Sequence, residues 1–319
     1  MSTDRTEVPP PLAEPERSST PQHCQSSEEP EAPVSSESDQ VPNRPRPLPS
    51  QRSAIGDSAA RRRLAASFSD HSDLDDAQEY DRLRPRYPEA VVEAVVAAAR
   101  ESAEKASPVC ADLGAGTGIM SRALLRAGAQ VYAVEPSEPM LQVLSEQQSP
   151  GLKAQPGTAE RTGLPQEAVD AVVAAQAWHW FDQDEVQAEI RRILVPGGSL
   201  GVVGNYLDTS VAWVHRLTRI MRAGDVYRPG WSPAIDPVHF TAWERQEHRW
   251  VRTITPEGIR RLSRTLSSWL SAHDADRRRR AANLDWYLDE HMAFTPGETV
   301  ELPYITVLHM ARYRGNTVQ

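Results

Sequence analysis

The amino-acid sequence predicts an α/β fold, a doubly wound sheet with helices on both faces. The first observation is residues 109–118, where a short β-branched segment runs into three alternating glycines and then into a helix-forming segment. The second is the alternation of strand and helix patterns from about residue 90 to 205, which is typical of such sheets. The third is residues 299–312, whose alternating apolar residues predict a closing strand.

Local signals define the predicted elements one by one. Apolar periodicity, β-branched runs and Gly or Pro at the ends distinguish helices from strands. In order, we predict a helix from near Glu89, a strand from Val109, a helix over 119–127, strands over 131–134 and 170–175, a helix over 185–194, a turn at 196–198, strands over 199–204 and 240–253, and helices over 259–270 and 281–292. The basic run Arg277–Arg280 is interpreted as a solvated helix face, since Asp274, Asp276 and Asp285 lie nearby in the sequence.

The glycine turn and two carboxylates predict the kind of ligand. Glu135, at the tip of the second predicted strand, can accept hydrogen bonds from both hydroxyls of an unphosphorylated ribose. A dinucleotide site would place its third glycine at position 119, which is Ile119, and Asp112 would repel a pyrophosphate but hold a cationic amino-acid group. S-adenosylmethionine combines a ribose, an adenine and a zwitterionic amino acid, and it is therefore the predicted cofactor.

Residues 112–118, Asp-Leu-Gly-Ala-Gly-Thr-Gly, resemble the first motif of the class I S-adenosylmethionine-dependent methyltransferases. Residues 157–160 and 194–200 are similar to later loops of the same family, whose type 11 domain this chain resembles. The resemblance implies a Rossmann-like seven-stranded sheet with an antiparallel last strand. It also implies a methyltransferase domain over 71–319, with a core at 90–205, an enclosing insertion at about 205–237 and C-terminal strands and helices at 238–314.

Three further segments resemble one small-molecule branch of that family, which includes trans-aconitate-methyltransferase-like proteins. They are Tyr80–Pro88, the His-Trp-Phe sequence at 179–181 and the Leu-Pro-Tyr-Ile-Thr sequence at 302–306. Membership would imply a small-molecule acceptor and O- or carboxyl-methylation, but the acceptor itself does not follow from the resemblance.

The motifs and the resemblance together indicate candidate site residues. For cofactor binding they are Asp112, Gly114, Ala115, Gly116, Gly118, Glu135, Pro136, Thr158, Ala159, Glu160, Gln176, Tyr80 and Arg84. For the substrate pocket they are Trp178, Trp180, Asn205, Tyr206 and Arg228. We expect residues 205–237 and 68–88 to enclose the acceptor, and we expect no metal site.

His179 is the candidate general base, since it follows the fourth predicted strand and histidine titrates near neutral pH. It could equally line the pocket without proton transfer, or pack a loop against the core. A carboxylate acceptor would need no base, and Arg84 or Arg228 would then clamp it. Two other functions stay open at this point, an NAD-dependent oxidoreductase and a regulatory protein that binds the cofactor without turnover.

Composition restricts the remaining possibilities. Residues 1–70 are rich in Pro, Ser and Glu and poor in large apolar residues, so we predict a disordered N-terminal tail. A net charge of −9 argues against a nucleic-acid partner. No apolar run is long enough to span a membrane and no targeting segment is evident, so we expect a cytoplasmic protein. Two cysteines give neither a disulfide framework nor a metal-ligand pattern, and protein partners cannot be inferred.

Overall fold

A computed structural model describes residues 73–103, 106–147, 149–224 and 226–315. The predicted tail, residues 1–70, lies outside these residues. The described helices are α1 Leu74–Leu83, α2 Glu89–Ser102, α3 Ile119–Arg126, α4 Glu138–Glu146, α5 Gln183–Ile193, α6 Ala212–Met221, α7 Pro256–Arg264, α8 Ser267–Leu270 and α9 Asp274–Asp285, with a 3-10 turn at Trp178–Trp180 and a π-helical turn at Trp286–His291. The strands are β1 Val109–Leu113, β2 Gln130–Glu135, β3 Leu152–Pro156, β4 Val169–Ala175, β5 Leu194–Leu207, β6 Glu244–Ile254 and β7 Val300–Arg312.

The described strands form one seven-stranded sheet in the order β3-β2-β1-β4-β5-β7-β6. Strands β1 to β5 pair in parallel, whereas β7 runs antiparallel to both of its neighbours. The predicted α/β fold with an antiparallel last strand is therefore confirmed. The chain leaves β1 towards β2 on one side and later returns to β4 on the other, so a topological switch point lies at the carboxyl ends of β1, β2 and β4.

Both faces of the sheet are covered by helices, as apolar strands require. The valines of α2 pack with Met120 and Leu124 of α3 against one face of β1 and β4. On the opposite face, Val186, Ile190 and Ile193 of α5 pack against the alternate strand residues. A third apolar cluster joins α6, α7 and α9 to the start of β7 and to Leu83 at the end of α1.

The β5 strand begins five residues before the predicted strand at 199–204. Its first residue, Leu194, pairs with Val169 of β4. Ala171, only two residues further along β4, already pairs with Ser199 of β5. The predicted turn at 196–198 is thus a bulge within the strand, where Gly197 takes a positive φ of 82°.

The C-terminal elements also differ from the predicted ones. The expected helix over 259–270 is divided into α7 and α8, because Leu266 between them is extended (φ −76°, ψ 141°). The predicted strand over 240–253 starts only at Glu244; Phe240 makes an isolated bridge with Tyr313.

The four arginines at 277–280 do not all form a solvated helix face. Arg280 is only 8% exposed and donates to the backbone oxygen of Ser268 (2.6 Å), while Arg277 donates to the backbone oxygens of Trp269 (3.1 Å) and Leu270 (2.6 Å). These side chains donate to carbonyl groups at the end of α8, where a helix runs out of backbone donors, although the oxygen of Trp269 also accepts from the backbone N–H of Ala272 (3.0 Å). Only Arg278 and Arg279 of the run are exposed.

The described residues contain no helix that is both long and apolar enough to cross a membrane. They also contain no group of three or more His, Cys, Asp or Glu placed to hold a metal ion.

Candidate functional site

A cavity of about 580 Å³ lies at the switch point of the sheet, with α1 at its edge. Its walls come from the loop after β1, the end of β2, the loop after β3 and the end of β4. The described residues that line it include Tyr80, Tyr87, Asp112, Gly114, Ala115, Gly116, Thr117, Glu135, Pro136, Ser137, Met140, Thr158, Ala159, Glu160, Arg161, Gln176, Trp180, Phe181, Asp182 and Glu185.

The three glycines of the loop after β1 are required for different reasons, although all have positive φ. A Cβ at Gly114 would lie 2.8 Å from Cβ of Ala177, and one at Gly118 would lie 2.2 Å from Leu144, so close packing of the protein excludes a side chain there. At Gly116 the nearest atom to such a Cβ is the sulfur of Met140 at 3.6 Å. Gly116 therefore leaves its backbone exposed to the cavity, where a ligand can approach it closely.

Glu135 connects the end of β2 to this loop. Its Oε2 accepts a hydrogen bond from the backbone N–H of Gly116 (2.8 Å), and its Oε1 accepts one from the backbone N–H of Ser137 (2.9 Å). Burial raises the pKa of this carboxyl to about 7, although both hydrogen bonds oppose the rise. Each carboxylate oxygen keeps a free lone pair, so a ligand hydroxyl can still donate to it.

Asp112 is buried at the end of β1, and its carboxyl has a partner on one oxygen only. Oδ2 accepts from the hydroxyl of Ser121 (2.6 Å), whereas Oδ1 has no hydrogen-bond partner among the described residues. Burial raises the pKa of Asp112 to about 6. A buried carboxylate oxygen without a partner is costly, and a cationic ligand group would satisfy it.

The loop after β3 and the start of α4 form a second wall of the cavity. Thr158, Ala159 and Glu160 line it as expected, together with Met140 of α4. Oε1 of Glu160 accepts from the backbone N–H of Asp182 (2.8 Å), so this loop is joined to the segment after β4. Apolar and carboxylate groups thus both line this part of the cavity.

The segment after β4 contains a strained residue at the cavity. Gln176 has a φ of 58°, a left-handed conformation that non-glycine residues rarely adopt. Its side chain donates to the backbone oxygen of Asn205 (2.7 Å), and its backbone N–H donates to the oxygen of Val203 (2.8 Å). Pairing with β5 therefore holds Gln176 in this conformation, and strain of this kind is common at ligand sites.

Helix α1 packs over the cavity and is fastened to the glycine loop. Ala77 of α1 packs on Met140 and Val143 of α4, while Tyr80 faces the cavity. Asp81 accepts hydrogen bonds from the hydroxyl of Thr117 (2.7 Å) and from the guanidinium of Arg122 (2.5 Å). Burial opposes ionisation of Asp81, but these two bonds hold its pKa below the usual value.

Most of the candidate cofactor residues meet at the cavity, and most of the candidate acceptor residues do not. Asp112, Gly114, Ala115, Gly116, Glu135, Pro136, Thr158, Ala159, Glu160, Gln176 and Tyr80 all line it, as does Trp180 from the substrate set. Gly118, Arg84, Trp178, His179, Asn205, Tyr206 and Arg228 are not among its described lining residues.

Packing and hydrogen bonds explain why several candidate residues do not line the cavity. Arg84 donates to the backbone oxygen of Thr265 (2.9 Å) and lies 4.6 Å from the ring centroid of Tyr80. Trp178 is in the core at 5% exposure, and the ring of His179 lies 4.5 Å from that of Trp180. Asn205 is buried and donates to the backbone oxygen of Arg86 (3.1 Å), so it joins residues 84–88 between α1 and α2, the entry segment, to β5.

The site also contains residues that the sequence analysis did not select. Ser137 and Met140 follow Glu135 directly, and Phe181, Asp182 and Glu185 follow the aromatic turn after β4. Their nearness in sequence to selected residues was a usable signal. Thr117, between Gly116 and Gly118, and Arg161, next to Glu160, carried the same signal, whereas Tyr87 was visible only as part of the entry segment.

The fold and the cavity together define a nucleotide-type ligand site at the switch point of a doubly wound sheet. Comparisons with known proteins specify the class. A family model described as a methyltransferase domain matches residues 111–202. An uncharacterized methyltransferase of Mycobacterium tuberculosis is 36% identical over 230 residues, which are 72% of this chain and 90% of the relative. An uncharacterized methyltransferase-like protein of Schizosaccharomyces pombe is 33% identical over 147 residues, 46% of this chain and 56% of that protein.

A solved structure agrees with the fold. A protein assigned as a type II methyltransferase from Anaeromyxobacter dehalogenans superposes with a TM-score of 0.53 at 27% identity, covering 73% of this chain and 98% of that one. The chain belongs to the class I S-adenosylmethionine-dependent methyltransferases. It is accordingly an enzyme whose cofactor is S-adenosylmethionine, and the NAD-dependent alternative is set aside. The narrower trans-aconitate branch stays a prediction.

Proposed function

We propose that this protein transfers the methyl group of S-adenosylmethionine to a small, uncharged organic acceptor, with an oxygen atom as the nucleophile. The observation that carries the proposal is the pair of buried carboxylates, Asp112 and Glu135, at the ends of adjacent strands on either side of the exposed backbone of Gly116.

In this proposal each carboxylate recognises one part of the cofactor. The unpartnered Oδ1 of Asp112 accepts from the ammonium group of the methionine moiety. The free lone pairs of Glu135 accept from the two ribose hydroxyls. Thr158, Ala159, Glu160 and Met140 provide the wall against which the adenine lies. This assignment leaves the end of β4 and the aromatic residues for the acceptor.

The chemistry requires alignment more than covalent help. When bound, the sulfonium of the cofactor supplies a methyl group that is already activated for displacement. The protein must place the nucleophile in line with the sulfur–methyl bond, and such positioning can contribute about 7–11 kcal/mol to the lowering of a barrier. As the oxygen–methyl bond forms, the sulfur–methyl bond breaks, and the proton that the hydroxyl loses passes to water or to one of the lining carboxylates. Gln176, fixed by its contacts with β5, and the rings of Tyr80, Tyr87 and Trp180 are the residues that we propose to hold the acceptor.

Charge favours an uncharged acceptor over a carboxylate. Asp112, Glu135, Glu160, Asp182 and Glu185 line the described cavity, against a single lining arginine, Arg161. Arg84, a candidate clamp for a carboxylate acceptor, is instead bonded to Thr265. Arg228, the other candidate clamp, is also absent from the described lining. An anionic acceptor would therefore meet an excess of negative charge, so O-methylation is favoured and carboxyl-methylation is not.

We further propose that His179 supports the pocket without acting as the base. Its ring lies against Trp180, and Trp180 is the residue that faces the cavity. Replacement His179→Gln should lower the turnover number without removing a titration from its pH profile. Loss of a limb near neutral pH in that variant would instead identify His179 as the base.

Binding and turnover are tested in two steps. Calorimetric titration should show micromolar binding of S-adenosylhomocysteine and no binding of NAD. Release of S-adenosylhomocysteine is then measured with matched acceptors, each phenol being paired with the benzoic acid of the same ring substitution. Turnover of the phenols supports the proposal, and turnover of the acids alone would overturn the assignment of an uncharged acceptor.

A further inference from the structure

A second concave site lies between α6 and α9, outside the cofactor cavity. It has a volume of about 560 Å³, and its described lining includes Arg216, Arg219 and Arg222 from α6 and Arg279 and Arg280 from α9. His215 and Asn283 add further donors. Five guanidinium groups around one concavity are unusual in a chain whose net charge is −9.

The carboxylates of the described residues compensate only part of this charge. Asp276 accepts from Arg222 (3.0 Å), Arg279 (2.5 Å) and Arg280, and it is the one described carboxylate that is hydrogen-bonded to any of the five arginines. Arg219 makes no ion pair or side-chain hydrogen bond with a described residue. Arg216 lies over the rings of Trp286 (5.4 Å) and Tyr287 (5.5 Å), which orients its guanidinium without neutralising it.

One of the five arginines also shows that the site is built into the fold. Arg280 is only 8% exposed, and its Nε has no hydrogen-bond partner among the described residues. Its remaining nitrogens are held by the backbone oxygen of Ser268 and by Asp276. A buried guanidinium with an unmet donor costs free energy, and an anion that accepts from this donor would remove that cost.

We propose that this concavity is a binding site for a phosphate-bearing small molecule, separate from the methyl-transfer site. Planar guanidinium groups match the oxygen pairs of a phosphate group and bind it with two parallel hydrogen bonds. Arg219 and Arg216 provide uncompensated charge at the exposed side, and Arg280, whose charge is paired with Asp276, provides the unmet Nε–H donor at the buried side. The ligand would join α6, which follows β5, to α9.

Inorganic pyrophosphate is the probe, titrated calorimetrically into the full chain in the presence of saturating S-adenosylhomocysteine. The expected result is saturable binding of one equivalent that Arg219→Gln weakens at least about tenfold, since a charged hydrogen-bond partner is lost. Arg278→Gln is the matched control, because Arg278 lies on α9 next to Arg279 and Arg280, is exposed and does not line the concavity. Affinity for S-adenosylhomocysteine and the melting temperature should be the same in both variants.

Two outcomes would overturn the proposal. If Arg278→Gln weakens pyrophosphate as much as Arg219→Gln does, or if binding does not saturate, the arginines act only as a diffuse positive surface. If pyrophosphate fails but a synthetic peptide of residues 26–40, which contain five carboxylates and no basic residue, binds in an Arg219-dependent manner, the site recognises an acidic peptide segment instead.

Discussion

The two sides of the methyl-transfer cavity are assembled from very different distances along the chain. The cofactor side is formed by residues close in sequence, and its central hydrogen bond, from Gly116 to Glu135, spans 19 residues. The acceptor side is held by bonds between remote segments, such as Asn205 to Arg86 over 119 residues and Arg84 to Thr265 over 181. In the proposed site, residues close in sequence therefore form the side for the cofactor, while contacts between remote segments shape the side for the acceptor.

This difference explains which candidate residues reach the cavity. A glycine turn between a strand and a helix can adopt few conformations, so its neighbours have predictable positions. The direction of a side chain in the entry segment depends instead on which helix packs beside it. Arg84 meets the carbonyl group of Thr265 at the end of α7, and it is drawn away from the cavity for that reason.

The largest expected effect is on the cofactor side, at Glu135. Glu135→Ala should weaken S-adenosylhomocysteine binding at least about 100-fold, because it removes acceptors for two hydroxyls, each bond to a charged group being worth about 1.5–3 kcal/mol. It also releases the N–H groups of Gly116 and Ser137. Calorimetry gives the affinity, and circular dichroism verifies the fold. Glu135→Gln, which keeps the shape, should lie between the wild type and the alanine variant; wild-type affinity in both would refute the ribose assignment.

The next largest effect on cofactor affinity is expected at Asp112, and this effect depends on pH. With a pKa of about 6, the carboxyl is ionised at pH 7 and largely protonated at pH 5. Because a cationic ammonium binds only the ionised form, Asp112→Asn should weaken the cofactor roughly tenfold at pH 7, with the difference disappearing at pH 5. A difference that is independent of pH would show that Asp112 does not bind the ammonium group.

The same raised pKa should make the ligand-free protein less stable as the pH rises, whereas cofactor affinity increases with pH. A pKa raised from 3.8 to about 6 means that the folded state binds the proton more tightly than the unfolded state does. This contribution to stability is present below about pH 4 and is lost as the pH rises through 6. Asp112→Asn should therefore raise the melting temperature at pH 7 more than at pH 5, measured by scanning calorimetry.

An intermediate effect on cofactor affinity is expected at Asp81, through which α1 contacts the glycine loop. Asp81→Asn weakens the bonds of α1 to Thr117 and Arg122, so S-adenosylhomocysteine affinity should fall roughly threefold to tenfold, since bonds to charged groups are the stronger ones. Arg82→Gln on the same helix is the control, because Arg82 is 66% exposed and its nearest carboxylate is 3.8 Å away. If both variants bind as the wild type does, α1 does not contribute to cofactor retention.

The smallest effect on cofactor affinity is expected at Arg84. Arg84→Ala should leave S-adenosylhomocysteine binding unchanged but lower the free energy of unfolding by about 1–2 kcal/mol, because the bond to Thr265 and the contact with the Tyr80 ring are lost. Urea denaturation measures the stability. A clear loss of affinity would instead return Arg84 to the cofactor site.

The sequence by itself determined the fold class, and it selected most of the residues that we propose for the cofactor side of the site. Residues 109–118, the carboxylate at Glu135 and the alternation of strands and helices are local patterns, and local patterns of this kind impose one backbone arrangement. It also indicated Thr158 to Glu160 and Gln176 as neighbours of the cofactor, because the carboxyl ends of neighbouring parallel strands meet at one edge of the sheet.

Only the tertiary structure decided the acceptor side and the arginine site. The placement of Trp180 in the lining and Trp178 in the core, the left-handed conformation of Gln176 and the attachment of α1 through Asp81 all depend on contacts between distant segments. In the same way, the arginines of α6 and α9 appear in the sequence as two separate basic stretches. They form one concavity only because the packing of an apolar cluster brings the two helices together, and no local pattern specifies that packing.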